Sequence, residues 1–454
     1  MSENPSRELV SELLAREEER FEAAHPVSRE INEAAERDLL SGVPMNWMTR
    51  WPGRFPVYVK TANGAEVTDV DGNTYADLCL GDTGAMCGHS PPASVAAITA
   101  QLERGITTML PSEDAGAVGE MMAERFGLRH WQFSVSATDA NRFVVRLCRR
   151  VTERPKILVF NHCYHGSVDE TVVMLGDDGT SAVPRYGNIG PPVAPALTTR
   201  VVEFNDVEAL ERELRNEDVA CVLAEPALTN IGIVLPDPGF HDELRRLCTE
   251  TGTLLVIDET HTLSCGTGGY TGEYGLKPDA MTMGKPIAGG IPTGAYGLSD
   301  ELAARVLEVT VWDAADVGGV GGTLAGNALQ LAAVRATLGE VLNAEAYERM
   351  VGLAERYENG VNEAIGRHGL GWSAVRMGAR VEYMFSPEPP RNGGEAAEVI
   401  GGPLDELMHL YMLNEGILFT PFHMMALMCP ATTEAQVDLH TEAFNRIAEE
   451  LVAG

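Results

Sequence analysis

Apolar residues recur at helical spacing near the start of the chain, at Leu9, Leu13 and Leu14 and again at Ile31, Ala34, Ala35 and Leu39, among acidic neighbours. That period predicts two acidic helices over residues 6–40. The pattern then shortens. "FPVYVKTANGAEVTDVDGNTYADL" alternates apolar and polar positions, with turn pairs at Asn63-Gly64 and Asp71-Gly72, and reads as short strands. From about residue 75, helical stretches alternate with brief apolar runs: "WQFSVS", "KILVF", "RVVEF", "ACVLAEP", "TLLVIDE" and "AMTMG". Rich in Val, Ile and Leu, such runs are strands buried on both faces. Their alternation with helices predicts an α/β fold, a doubly wound and mostly parallel sheet. Long helical patterns return after residue 330, followed by "ARVEYMFS" and a last helix. The expected division is therefore 1–74, helices and strands joining a small domain; 75–330, a large domain; and 331–454, the rest of a small α+β domain.

Composition narrows the function. The chain has 454 residues, 44% apolar and 22% charged. No run of about 20 apolar residues occurs, so no membrane span is expected. The formal charge of −32 argues against nucleic acid or an anionic membrane as partner, because phosphates would be repelled. The N-terminal stretch is acidic, without the apolar core of a signal peptide, and the eight cysteines are scattered without a C-x-x-C pair. Reduced thiols in a cytoplasmic protein are expected.

One residue type is scarce. There are four lysines (Lys60, Lys156, Lys277, Lys285) against thirty arginines, and Lys285 follows the buried run "AMTMG". A desolvated lysine can lose its proton and act as a nucleophile, which arginine cannot. In doubly wound sheets ligands bind beyond the C-terminal strand ends, so the residues after each run are where chemistry belongs. After "WQFSV" come Ser136, Ala137 and Thr138, opening a helix whose free N–H groups suit a phosphate. After "KILVF" come Tyr164, with a flat face, and His165, with a titratable ring. Glu225 follows "ACVLA", and Asp258 and Glu259 follow "TLLVI". A carboxylate after an apolar strand is costly to bury unless a cation meets it. For Glu259 a helix-capping role suffices; for Asp258 the cation can be a protonated ring nitrogen. Phosphate anchor, aromatic platform, buried aspartate and lysine together define the chemistry of pyridoxal 5′-phosphate.

At these residues the sequence resembles the class III aminotransferases of fold type I, near ω- and β-amino acid transaminases and glutamate-1-semialdehyde aminomutase. "DVDGNTYADL", "FNHCYHG", "AEP", "LLVIDE", "MTMGKPIAGGIPTGAYG" and "GGTLAGN" carry the resemblance, which runs from about residue 55 to the C-terminus. It implies Lys285 as the Schiff-base lysine, Asp258 as partner of the pyridine nitrogen, Tyr164 stacked on the ring and Glu225 near its phenolic oxygen. It implies Ser136, Ala137 and Thr138 as the phosphate cup, completed by Thr323 from a neighbouring subunit, and hence a homodimer with shared active sites. Two departures stand out. The usual N-S-G-T-E-A reads "VSATDA", where Ala137 must avoid a positive φ or accept strain. The usual D-E-V-(Q/M)-T reads "DETHT", which puts His261 near the cofactor's oxygen, either packing or tuning proton transfer.

Substrate recognition is less marked. Between Arg391 and Arg446 there is neither arginine nor lysine, and Phe422 and His423 stand where related enzymes often carry a carboxylate-binding arginine. Near the N-terminus, Asn46-x-x-x-Arg50 resembles the aminomutase signature, with Trp47 and Met48 at the pocket mouth. Because both signature regions are altered, the expected activity is a transaminase moving an amino group between an amine or ω-/β-amino acid and a keto acid or aldehyde. The alternatives are a glutamate-1-semialdehyde 2,1-aminomutase and a racemase or epimerase on the same cofactor; a non-catalytic binding module conflicts with the retained Lys285 and Asp258.

Overall fold

The computed structural model describes residues 5–453, and the chain forms two compact units. The larger comprises residues 92–347 and 390–398, the smaller residues 5–91, 348–389 and 399–453. Both borders fall later in the chain than the expected 74/75 and 330/331. One reason is local. Helix Ala328–Ala336 packs on helices Pro92–Leu102 and Asp114–Phe126, so it belongs to the larger unit although its pattern marks the return of long helices.

The larger unit is built on a seven-stranded sheet, in the order His130–Ser134, Gly294–Leu298, Ala280–Met283, Leu254–Asp258, Val219–Ala224, Lys156–Phe160, Thr199–Val202. Every pair among the last five is parallel. All six residues of Val219–Ala224 are fully buried, as expected for a central strand covered on both faces. Each such Val or Leu contributes about 1.5–3 kcal/mol of burial, so these runs supply much of the core.

The strand Gly294–Leu298 has no counterpart among the six expected runs. It is antiparallel to both neighbours. Its glycines are steric necessities: a Cβ at Gly294 would lie 2.2 Å from the Ser136 carbonyl oxygen, and one at Gly297 2.6 Å from the Trp131 ring. Residues chosen for space carry little strand propensity, so the pattern conceals the strand.

The smaller unit joins both ends of the chain. Val59–Asn63, Glu66–Asp69 and Thr74–Asp77 form an antiparallel meander, to which Ile417–Leu418 adds in parallel. The two foreseen turns hold, with Gly64 and Gly72 at positive φ. Ser373–Met377, Arg380–Met384 and Met425–Leu427 make a second sheet. Helix Arg7–Ala24 lies against Pro403–Asn414, where the Asn414 amide donates to the Glu17 carbonyl at 2.9 Å. Among the described residues no helix is long and apolar enough to cross a membrane.

Candidate active site

Parallel pairing places Asp258 beside Thr282, so their two strands deliver Asp258 and Lys285 at the same sheet end. Gly284 precedes the lysine, and a Cβ there would lie 2.9 Å from the Ala137 side chain and 3.1 Å from its nitrogen. Lys285 itself has φ 51°, a left-handed backbone costing a non-glycine residue about 1–2 kcal/mol. The chain thus leaves the sheet in one fixed direction. The Lys285 Nζ lies 2.8 Å from His261 Nε2.

Asp258 is 4% exposed and is held on both oxygens. Its Oδ2 faces Asn141 Nδ2 at 2.8 Å and His165 Nδ1 at 2.9 Å, while Oδ1 accepts from the Thr260 nitrogen at 3.1 Å and the Thr260 hydroxyl at 2.6 Å. Burial alone would raise its pKa; the bond and charge of His165, with Thr260 and Asn141, outweigh it and carry the pKa below the ordinary carboxylate value. His165 moves the other way. Burial disfavours its charged form, but the Cys163 sulfur and the Asp258 carboxylate hold its pKa well above that of a free histidine. The two form a buried ion pair.

Asn141 links this pair to the next strand, accepting from the Thr282 hydroxyl at 2.6 Å and donating to the His165 carbonyl at 3.1 Å. It and Thr260 were not among the expected site residues. The signal for Asn141 is a polar residue among Ala140, Val144, Val145 and Cys148 on the buried face of helix Ala137–Thr152. A fully buried amide is satisfied only by specific partners.

That helix opens at Ser136, whose hydroxyl accepts from the Asp139 nitrogen at 3.2 Å. Ala137 has no positive φ, so the loop takes the unstrained course. The Thr138 hydroxyl accepts from the Ser167 nitrogen at 3.2 Å, and a Cβ on Gly166 would lie 2.0 Å from that hydroxyl. Free N–H groups, two hydroxyls and a helix dipole converge here, a fit for a phosphate.

Tyr164 is 46% exposed, and its nitrogen donates to Glu225 Oε1 at 3.3 Å. Glu225 is buried and also accepts from the Thr229 hydroxyl; burial, moderated by His165 and Thr229, raises its pKa. Glu259 is a cap: it accepts from the nitrogens of Tyr270 and Thr271, in the helix Gly269–Tyr274. Thr323 lies in an exposed turn of the same unit.

The residues expected at the substrate lie in the smaller unit. Trp47 meets Phe422 edge-on at 6.3 Å, and the Arg50 guanidinium sits 4.5 Å above the Phe422 ring. Arg50 and Phe422 border a cleft of about 490 Å³ with Trp51, Asp405 and His409. Met48 is half-buried beside them in sequence. His423 is turned inward, its Nδ1 2.7 Å from the buried Glu382 Oε1. Among the described residues no cluster could hold a metal ion, and the eight cysteines are unbridged.

The family model for aminotransferase class III matches residues 47–448. A glutamate-1-semialdehyde 2,1-aminomutase 2 from Brevibacillus brevis is 33% identical over 375 residues, 81% of this chain and 85% of that protein. Among solved structures, a glutamate-1-semialdehyde-aminomutase from Pseudomonas aeruginosa PAO1 superposes with a TM-score of 0.96 and 49% identity, over 99% of this chain and all of that one. An omega-transaminase from Sphaerobacter thermophilus superposes with a TM-score of 0.84 and 26% identity, over 94% of this chain and 98% of its own.

Proposed function

Because the chain belongs to the class III aminotransferases and uses pyridoxal 5′-phosphate, we propose that it is a glutamate-1-semialdehyde 2,1-aminomutase, exchanging amino and oxo groups on adjacent carbons of one molecule. The observation that carries this reading is the 49% identity to an aminomutase along nearly the whole chain. It reverses the order expected from the altered signature regions, where a transaminase stood first. The omega-transaminase likeness is weaker, at 26% identity.

When bound, the cofactor supplies an aldehyde that takes up an amino group and a ring that accepts electrons from the substrate carbon. The chain's residues do the rest. Lys285 holds the cofactor and moves a proton at the reacting carbon. Asp258, kept ionised by its four bonds, holds a proton on the ring nitrogen. Tyr164 offers its exposed face to the ring, and Glu225 lies next to it in the same bonded set. Ser136, Ala137 and Thr138 bind the phosphate from the helix N-terminus. Thr323 completes that cup in a homodimer, each subunit serving the other's site.

The test is to supply glutamate 1-semialdehyde to the holoenzyme with no keto acid or amine added. An aminomutase forms the 5-amino-4-oxo isomer under these conditions. A single turnover that leaves the cofactor aminated and then stops, resuming only when an external amino acceptor is added, would establish the transaminase instead.

Arg50 supplies a second test. A bidentate arginine–carboxylate contact contributes about 1.5–3 kcal/mol, or roughly 10- to 150-fold at 1.4 kcal/mol per decade. Arg50→Ala is expected to raise KM for the semialdehyde by that factor while sparing the single half-reaction with an amine that lacks a carboxylate. Steady-state kinetics on the semialdehyde and single-turnover absorbance changes with the amine read this out. Equal losses for both would mean that Phe422, stripped of its guanidinium, has changed shape.

A further inference from the structure

The strands ending at Asp258 and Met283 run parallel and in register, and three residues beyond the paired Asp258 and Thr282 stand His261 and Lys285. Their side-chain nitrogens are 2.8 Å apart, and His261 is only 8% exposed. We propose that His261 is the proton acceptor of Lys285, taking the ammonium proton so that the lysine acts as a free amine and returning it when the lysine must act as an acid. This rests on Lys285 being the residue that holds the cofactor.

The geometry requires a shared proton. An ammonium has three donors and no acceptor, so against Lys–NH3⁺ the His261 Nε2 accepts and its ring proton sits on Nδ1. Transfer along this bond gives Lys–NH2 and an imidazolium. Nothing is oxidised or reduced, no proton leaves the pair, and its charge remains +1. That conservation matters in a buried site. Deprotonating a lysine to bulk water changes the local charge, whereas passing the proton 2.8 Å to a neighbour moves it only slightly. A free amine formed within the site is what a nucleophile or base requires.

The residue type supports this role. Glutamine or methionine commonly stands here in the family. An amide bonds without exchanging a proton at neutral pH, and a thioether has no proton to exchange. Histidine is the side chain whose ordinary pKa suits both directions. The backbone holds the pair: Lys285 is fixed by its left-handed φ and by Gly284, and His261 precedes the short helical turn Thr262–Cys265, its carbonyl accepting from the Ser264 nitrogen at 3.4 Å.

The test reads the amine directly, without substrate. The cofactor-free full chain is treated with a trace of an amine-acylating reagent, and each lysine's labelling rate is measured by mass spectrometry. Lys60, Lys156 and Lys277 serve as internal standards. In His261→Gln, which bonds but cannot take the proton, Lys285 is expected to label more slowly than in the wild type. The standards should not change. In His261→Ala, added imidazole should restore both labelling and the rate at which the cofactor's absorbance appears on reconstitution. Unchanged labelling of Lys285 in His261→Gln overturns the proposal, as does a loss in His261→Ala that imidazole leaves uncorrected. If instead the cofactor is bound at another lysine, borohydride reduction of the holoenzyme places it there, a failure of the functional reading that the labelling result does not share.

Discussion

Lys285→Ala is expected to abolish turnover and leave a folded protein. The proton-moving role proposed for the lysine would alone account for about 10²–10⁴-fold by the usual scale of general acid–base catalysis, and loss of the proposed covalent attachment would add to it. The fold should survive. Lys285 is only partly buried, and alanine inherits the same left-handed backbone at much the same strain. Circular dichroism should match the wild type. Borohydride, which makes a lysine–cofactor link permanent, should label the wild type at Lys285 and the variant nowhere. Near-normal activity, or label on Lys60, Lys156 or Lys277, would remove Lys285 from the mechanism.

Asp258→Asn should reduce turnover by about 10²–10³-fold, the usual effect of removing one preorganised charge from an active site. Cofactor occupancy should fall much less, because the phosphate cup and Lys285 remain. A stability loss should accompany it. The carboxylate accepts from Asn141, His165 and twice from Thr260, and an amide has one oxygen for those donors. Its NH2 group must face donors on one side, and each buried group left unmatched costs about 1–3 kcal/mol. His165 also loses its counter-charge. Thermal melting of the variant with and without cofactor separates the two effects. If turnover barely changes while the melting temperature drops, Asp258 is structural and another group protonates the ring.

Both residues were legible in the sequence for one reason: a buried parallel strand is an unbroken apolar run, and the first polar residue after it marks the functional edge of the sheet. The same attention to strand ends singled out His165, which the fold sets against Asp258, and Tyr164 and Glu225, which it bonds to each other. It could not find Asn141, which reaches the site from a helix, because a buried amide reads like a surface one until its partners are known. Strand Gly294–Leu298 escaped because close packing against Ser136 and Trp131 demands glycine where strands favour branched residues. His261 was placed near the site, but its closeness to Lys285 depends on strand register, which a linear sequence does not state. Substrate choice was least legible. Arg50 and Phe422 lie 372 positions apart in the chain, and no local pattern announces that one guanidinium rests on that ring.

Gly166 and Gly284 set a limit on how this enzyme can be diversified. Each borders the Ser136–Thr138 loop, and a single added carbon at either would meet Thr138 or Ala137 closer than atoms approach. Gly166 also has φ 78°, which side-chain-bearing residues rarely adopt. A library randomised at these two codons should therefore return glycine alone among active clones, whatever substrate is used for selection. New specificities must be sought elsewhere, and the aromatic corner of Trp47 and Phe422 is where variation should be tolerated.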